Sequence, residues 1–331
     1  MLLKKDKSKV NLPSKFVIKW RDLPLYELMS YILMFASVPM LAFGIQPYNI
    51  EIIRIIILTI LALYSGFFSA LIWNDITDFE IDIIAHPNRL LPSKKIKVKK
   101  LFGIALIFSA FTFIFASLIS IWCLILVGVA ALFVAFHNKY LKRRVKFPAY
   151  SEIFNPFQWT VVAIFGFLAI WTALPQSSEI SIEIIFFGNI FTTSKAIQTM
   201  IILLIFTYFA DTSHDIPEGI HDVDADKKHG VKTYAISFGI VNATKISFFM
   251  FVFSGVFGII LYLQSILSPI FLILFLLLFV YTLYFPLKFL RSLKKGLVEE
   301  GVVVGRKLYD YFLFSYNLIF IDLVIQILLN S

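Results

Sequence analysis

The chain is short of cysteine and of charged residues, and each shortage excludes a class of protein. Its single cysteine, Cys123, lies inside an apolar run, so no disulfide framework is available and no thiolate site is indicated. Only 15% of the 331 residues are charged, against about 25% in a typical soluble domain. Hydrophobic residues make up 59% of the chain. This composition indicates an integral membrane protein.

Low-complexity tracts, long linkers and a small-residue cleavage site after the basic N-terminal stretch are also missing. We therefore predict a basic cytoplasmic segment over residues 1–24 and a single membrane domain over residues 25–330. The net charge of +9 does not indicate nucleic-acid binding, because the basic residues are scattered between apolar runs. They fit loops beside an anionic lipid leaflet better.

The basic residues also predict the orientation in the membrane. With a cytoplasmic N-terminus, 27 of the 30 Lys and Arg residues fall on the cytoplasmic side. Short cytoplasmic loops carry such an excess of positive charge. The segments concerned are 1–24, 74–100, 138–152, 211–239 and 288–308.

Apolar runs long enough to cross a bilayer define the fold class, since a spanning helix needs about 20 apolar residues. We predict an all-α polytopic protein with nine transmembrane helices. The runs are 26–43, 52–73, 101–118, 119–136, 153–171, 196–210, 240–263, 267–287 and 309–329. An acidic cluster follows both the second and the sixth run, which indicates two four-helix halves plus a ninth helix.

The first acidic cluster follows the second run. Asp75, Asp78 and Asp82 are spaced by three and then four residues, which on a helix places them on one face. Like charges so placed repel each other unless they share a cation. Oxygen ligands without thiols or imidazoles suit Mg²⁺, which also binds substrate phosphates.

The second acidic cluster follows the sixth run. Asp222 and Asp226 are one helical turn apart, with Asp215 and Glu218 upstream. Gly230 is expected to end the short helix that carries the two aspartates. Because both clusters lie on the predicted cytoplasmic face, we interpret them as two halves of one metal–diphosphate site.

Basic residues accompany both clusters. Arg89 follows the first, Lys142 lies four residues after Asn138 on a predicted common face, and Lys228 follows the second. A divalent metal and nearby Arg or Lys side chains neutralise the negative charge that develops on a diphosphate leaving group. A site inside a membrane indicates that the diphosphate carries a lipid tail.

Other interpretations of these residues are also open. The carboxylates can be solvated helix caps, although two such clusters on one face make this less favourable. An anionic-lipid transporter would also need a basic mouth, but it should carry charges near the middle of its spans. An inactive scaffold should have lost one of the paired aspartates. The five histidines form no tight pair and are expected to be polar loop residues.

Taken together, these motifs resemble the UbiA superfamily of intramembrane prenyltransferases. The family's Asn-Asp-x-x-Asp-x-x-x-Asp motif matches Asn74, Asp75, Asp78 and Asp82. Its second motif and inner-loop Leu-Lys pair also match, as does the turn after the first motif. The matching residues are Asp222, Asp226, Gly230, Lys232, Thr233, Leu141, Lys142, Arg89, Leu90, Leu91, Pro92 and Ser93.

The resemblance implies nine helices around a central cavity and two Mg²⁺ ions that bridge both clusters to an isoprenyl diphosphate. It implies ionisation to an allylic carbocation, which a lipophilic acceptor captures. The implied metal ligands are Asn74, Asp75, Asp78, Asp82, Asp222 and Asp226. The implied diphosphate-binding residues are Asn74, Asn138, Arg89, Lys142 and Lys228, and the implied catalytic residues are Asp75, Asp78, Asp222 and Lys142.

The resemblance leaves the substrates open. We expect a donor of geranylgeranyl length or longer and an aromatic quinone precursor as the acceptor. A glycerol-phosphate ether lipid, a carotenoid and a porphyrin are alternative acceptors. The sequence does not indicate the oligomeric state.

Two positions depart from the family pattern. Gly219 stands where many members have an acidic residue. The second metal ion therefore lacks one ligand unless Asp215 or Glu218 substitutes. His137 stands where a Tyr is common. The second change indicates a different acceptor if the Tyr shapes the pocket.

Overall fold

The computed structural model describes residues 17–18, 23–174, 180–184, 188–292 and 300–330. Almost all of the predicted basic N-terminal segment lies outside these residues. The described part of the chain contains nine helices long and apolar enough to span a membrane, as predicted. They are α1 (Leu25–Phe43), α2 (Ile50–Thr77), α4 (Val98–Ile119), α5 (Ile121–Phe136), α8 (Pro156–Ala173), α9 (Ser194–Gly219), α12 (Ile240–Gln264), α13 (Pro269–Ser292) and α14 (Glu300–Asn330).

Short helices lie between the spans at the face where the acidic clusters lie. They are α3 (Phe79–Ala85), α6 (Lys142–Arg144), α7 (Tyr150–Phe154), α10 (Val223–His229) and α11 (Tyr234–Phe238). A π-helical turn, His137–Leu141, joins α5 to α6. This face therefore carries most of the irregular structure.

Two small antiparallel hairpins were not predicted. One pairs β1 (Val17–Ile18) with β2 (Leu23–Pro24). The other pairs β3 (Ile180–Ile184) with β4 (Gly188–Thr192), between α8 and α9. Because the hairpins lie outside the spans, the fold class remains all-α.

The helices divide into a buried set and a lipid-facing set. Most of the apolar window of α1 and α8 is buried inside the protein, whereas less than a quarter of the window of α4, α5 and α13 is buried. Side chains such as Leu132 and Leu277 are more than 60% exposed, as expected for helices in contact with lipid.

The two predicted halves pack in a similar way. In each half the second span packs along the third, α2 against α4 and α9 against α12. The last span, α14, then packs against both α1 and α9. A shared core joins the halves, with Phe35, Phe165, Phe206 and Phe312 fully buried in it. This arrangement brings the ends of α2 and α9 to one region.

Several spans extend beyond the apolar runs. Helix α9 continues from the predicted end at residue 210 to Gly219, and α14 begins at Glu300 rather than at residue 309. The extra turns contain polar residues that pair inside the helix, as His214 does with Asp211 at 2.8 Å. Helix α2 also continues four residues beyond residue 73, and it carries Asn74 and Asp75 in its last turn.

Candidate active site

The first acidic segment spans the junction of α2 and α3. The backbone N–H of Asp78 donates to Asn74 O at 2.8 Å, and that of Asp82 donates to Asp78 O at 2.8 Å. Asp78 itself leaves the helical conformation, at φ −94° and ψ 12°. The predicted continuous helix is therefore interrupted at this residue. Asp75, Asp78 and Asp82 are nonetheless all buried.

Basic side chains neutralise these three carboxylates. Arg89 Nη1 lies 2.7 Å from Asp82 Oδ1 and 4.0 Å from Asp75 Oδ1. Lys142 Nζ lies 2.7 Å from Asp78 Oδ2. Opposite charges this close offset the repulsion among the buried carboxylates.

The second acidic segment begins where α9 ends. Asp222 caps α10, and Asp226 is buried within that helix. Gly230 adopts the left-handed conformation at φ 75° and ends α10, as predicted. Two imidazoles face Asp222, with His86 Nε2 at 3.4 Å and His221 Nδ1 at 3.2 Å.

Contacts between α3 and α10 bring the two segments together. Ile81 of α3, Ala225 of α10 and Val231 form a small buried apolar cluster. His86, just after α3, reaches across to Asp222. The apolar contact and this imidazole therefore hold the two acidic segments next to each other.

The carboxyl pKa values reflect this shared environment. Burial raises the pKa of Asp226 to about 6, opposed by Lys142 and reinforced by Asp222 and Asp78. Burial also raises the pKa of Asp82, although Arg89 opposes the shift. Burial acts in the same direction on Asp222, but His86 and His221 outweigh it and lower the pKa. The pKa of Asp226 therefore depends on charges from both acidic segments.

The π-helical turn positions Lys142. The Lys142 N–H donates to His137 O, five residues earlier, in the hydrogen-bond pattern of a π-helix. His137 is buried, with its ring stacked on Phe154 at 3.7 Å and its Nδ1 3.3 Å from the Tyr150 hydroxyl. Asn138 lies half-buried in the same turn. Such turns are frequent at functional sites.

Some predicted site residues lie elsewhere. Lys228 is exposed on α10 and joins none of the ion pairs in the described part of the chain. Asp215 lies 3.6 Å from the buried His214, and Glu218 contacts α14. Glu218 thus faces α14, whereas Asp215 faces Asn155, between α7 and α8.

The interpretation of the histidines as polar loop residues was wrong for His137 and His214. Both are buried in helical segments, where aromatic neighbours or a carboxylate cover them. His86 and His221 do lie at helix ends, but they hold Asp222. Sequence reasoning missed this role, and the one signal for it was the position of His86, four residues after Asp82.

A third missed residue is Glu152, a buried carboxylate on α7. It lies within electrostatic reach of Asp215 and Asp226. No spacing or neighbouring acid marks it in the sequence. Only the folded chain brings it to the second acidic segment.

The donor set of the site fits a hard divalent cation. The candidate ligands carry oxygen donors alone, which is the preference of Mg²⁺. Asp82 Oδ2 is buried and lacks a hydrogen-bond partner among the described residues, so it is open to a cation. No group of three acidic, histidine or cysteine side chains in the described part of the chain converges on one metal position. Arg89 and Lys142 take the positions of counter-charges instead.

The nine spans of the described residues, with a site rich in carboxylates and basic side chains at one end, define a polytopic membrane protein. A family model places the chain more closely. The UbiA prenyltransferase family model matches residues 31–299, and the chain belongs to this family.

Curated relatives carry one activity name. The chain is 28% identical over 169 residues to the digeranylgeranylglyceryl phosphate synthase of Sulfurisphaera tokodaii, which covers 50% of this chain and 51% of that protein. The chain spans 51–59% of the length of the first curated relatives that it matches.

Solved structures share the fold. A UbiA homologue from Aeropyrum pernix K1 aligns with a TM-score of 0.67 at 16% identity, covering 90% of this chain and 98% of that one. A UbiA homologue from Archaeoglobus fulgidus bound to GPP and Mg²⁺ aligns with a TM-score of 0.51 at 13% identity, covering 89% and 97%. At these identities the likeness describes the fold.

Proposed function

We propose that the protein transfers an isoprenyl group, of geranylgeranyl length, from its diphosphate to a glycerol-phosphate ether lipid. The observation that carries this proposal is the site itself, in which α3 and α10 bring two buried acidic segments together beside Arg89 and Lys142. Family membership supports the reaction class. The name of the curated relatives supports the acceptor.

In this proposal the acidic segments hold two Mg²⁺ ions. The ligands are Asn74, Asp75, Asp78, Asp82, Asp222 and Asp226. When bound, the ions supply Lewis-acid stabilisation of the departing diphosphate. The open Asp82 Oδ2 is the structural feature that favours this assignment.

The basic residues bind the diphosphate oxygens. Arg89 and Lys142 already lie beside the carboxylates, and we assign the half-buried Asn138 and the exposed Lys228 to the diphosphate as well. Asn74 contributes its amide next to Asp75. A planar guanidinium and a compact ammonium together suit a diphosphate, because the first binds two oxygens and the second acts as a point charge.

The reaction follows from these placements. The allylic carbon–oxygen bond breaks, its electron pair leaves with pyrophosphate, and Arg89 and Lys142 stabilise the negative charge that develops. A hydroxyl oxygen of the acceptor then forms a bond to the allylic carbocation and loses its proton to solvent. The surrounding apolar spans hold the isoprenyl chain and keep water from the cation.

An ether-lipid acceptor replaces the aromatic quinone precursor that the sequence led us to expect. The two differ in the atom that captures the cation, an alcohol oxygen in the ether lipid and a ring carbon in the aromatic acceptor. The same acidic segments serve either reaction. The acceptor assignment therefore depends on the relatives and needs its own test.

The test uses purified full-length protein in lipid nanodiscs with Mg²⁺ and radiolabelled geranylgeranyl diphosphate. Geranylgeranylglyceryl phosphate and an aromatic acid are offered in parallel as acceptors. We expect label in a doubly alkylated glycerol phosphate, with release of pyrophosphate. Label in the aromatic product instead would overturn the acceptor assignment.

Variants test the site in the same assay. We expect Asp78→Ala and Asp222→Ala each to lose at least about 100-fold in rate, because each removes a proposed ligand of the Mg²⁺ that would stabilise the leaving group. Asp224→Asn is the matched control, since Asp224 is exposed on the same short helix as Asp226 and should keep the parental rate. Donor binding without any product would favour an anionic-lipid transporter.

A further inference from the structure

The backbone conformation at Gly219, the last residue of α9, does not require a glycine. The glycines with positive φ in the described part of the chain are Gly44, Gly230 and Gly239. Gly219 instead ends a regular helix, where alanine is ordinarily the more stable residue. The reason for glycine here must therefore lie in its surroundings.

The side chain of Glu152 occupies that space. A Cβ atom on residue 219 would lie 2.5 Å from Glu152 Oε1 and 3.7 Å from its Cδ. Contacts under about 3 Å between carbon and oxygen are strongly repulsive, so any larger residue at 219 must displace the carboxyl group.

Glu152 is not free to move aside. It is 4% exposed, and its Oε2 accepts a short hydrogen bond from the backbone N–H of Tyr234. The neighbouring backbone is fixed as well. The backbone N–H of Ser151 donates to Lys232 O at 3.1 Å, and that of Ala149 donates to Ser237 Oγ at 2.8 Å.

These contacts enclose the second acidic segment. The chain leaves α9 at Gly219, forms α10 with Asp222 and Asp226, and returns to Glu152 at Tyr234. Glu152 thus touches both ends of the segment, and it lies within electrostatic reach of Asp226 between them.

We propose that Glu152 is a positioning residue for Asp222 and Asp226, and that residue 219 is glycine to admit its carboxyl group. Its role in catalysis rests on the proposed function, whereas its role in ordering residues 220–234 does not. The carboxyl group of Glu152 thus lies beside position 219, where the resemblance led us to expect an acid.

The experiment measures hydrogen–deuterium exchange of residues 220–234 in the full chain in nanodiscs, without metal or substrate. We expect Gly219→Ala and Glu152→Ala each to speed exchange in this segment by about tenfold or more, as loss of a buried hydrogen bond would. In the Glu152→Ala background, Gly219→Ala should add nothing, because the clashing group is gone. Glu152→Gln keeps an oxygen acceptor for Tyr234 N–H and should preserve slow exchange.

Gly103→Ala is the matched control, because a Cβ there meets nothing within 4 Å. Equal effects of Gly219→Ala with and without Glu152, or no effect on residues 220–234, would overturn the proposal.

A second readout is the Mg²⁺ concentration that gives half-maximal transfer. We expect Glu152→Ala to raise it and Glu152→Gln to restore it, whereas general destabilisation would lower the rate at every Mg²⁺ concentration. If the parent protein transfers nothing, the proposed function fails, and the exchange pattern still decides the role of Glu152.

Discussion

At the scale of single residues, the site depends on buried charges that are each matched by an opposite charge. Lys142 and Asp78 form the tightest such pair between the π-helical turn and the first acidic segment, at 2.7 Å. Removing one partner of a buried ion pair leaves the other charge uncompensated. The resulting loss of folding free energy is larger than the stabilisation that the pair itself contributes.

We therefore expect Lys142→Met to reduce the rate of isoprenyl transfer by about 100-fold, because the diphosphate loses a positively charged partner. The Michaelis constant for the isoprenyl diphosphate should rise as well. Steady-state kinetics with the labelled donor provide the measurement.

Lys139→Met is the control for that variant. Lys139 lies in the π-helical turn that precedes Lys142 but is exposed, with its ammonium 5.2 Å from the ring of Tyr140. It should keep parental kinetics. Equal losses in both variants would show that the turn, and not the charge of Lys142, matters.

The sequence predicted those site residues that are regularly spaced along the chain. Regular spacing marked Asp75, Asp78, Asp82, Asp222 and Asp226, and the structure places all five in one region. Glu152 had no such mark, because its partners Gly219 and Tyr234 are distant along the chain. Isolated residues that meet only through tertiary packing leave no periodic signal.

At the scale of helices, close approach between α14 and α9 depends on glycine. Gly301 and Gly305 are spaced as in a small-xxx-small motif, which lets membrane helices pack backbone to backbone. A Cβ on Gly305 would overlap Glu218 Cγ and lie 3.1 Å from both Glu218 N and His214 O. The α14 backbone therefore lies directly against α9.

We expect Gly305→Ala to lower the free energy of unfolding by about 1–3 kcal/mol, the usual effect of overpacking. Thermal unfolding in detergent measures it. Gly128→Ala in α5 is the matched control, since the nearest atom to a Cβ there is 4.0 Å away. A parental unfolding temperature for Gly305→Ala would contradict the packing argument.

Helix boundaries were the least predictable part of the fold. Hydropathy marked the apolar centre of α9 but missed the polar turns from Asp211 to Gly219, in which Asp211 pairs with His214 inside the helix. The break at Asp78 and the π-helical turn at His137 left no signal, since both depend on backbone hydrogen bonds that form only in the packed state.

At the scale of the whole molecule, the remaining prediction concerns orientation. In the topology predicted from the sequence, the acidic segments lie on the same side as 27 of the 30 Lys and Arg residues. We predict that this side is cytoplasmic, because short basic loops are retained there. The donor diphosphate and the glycerol-phosphate acceptor would then meet the site from the cytoplasmic leaflet.

The chain offers a clean way to test this, since its one cysteine, Cys123, is fully buried. The parent protein should therefore not react with a membrane-impermeant maleimide. Lys99→Cys introduces an exposed thiol on the predicted cytoplasmic side, and Lys195→Cys introduces one on the opposite side. In right-side-out vesicles we expect Lys195→Cys to react and Lys99→Cys to stay unlabelled, with the reverse in inverted vesicles. Labelling of Lys99→Cys from the outside would reverse the orientation and place the acidic segments on the outer face, away from a cytoplasmic supply of isoprenyl diphosphate.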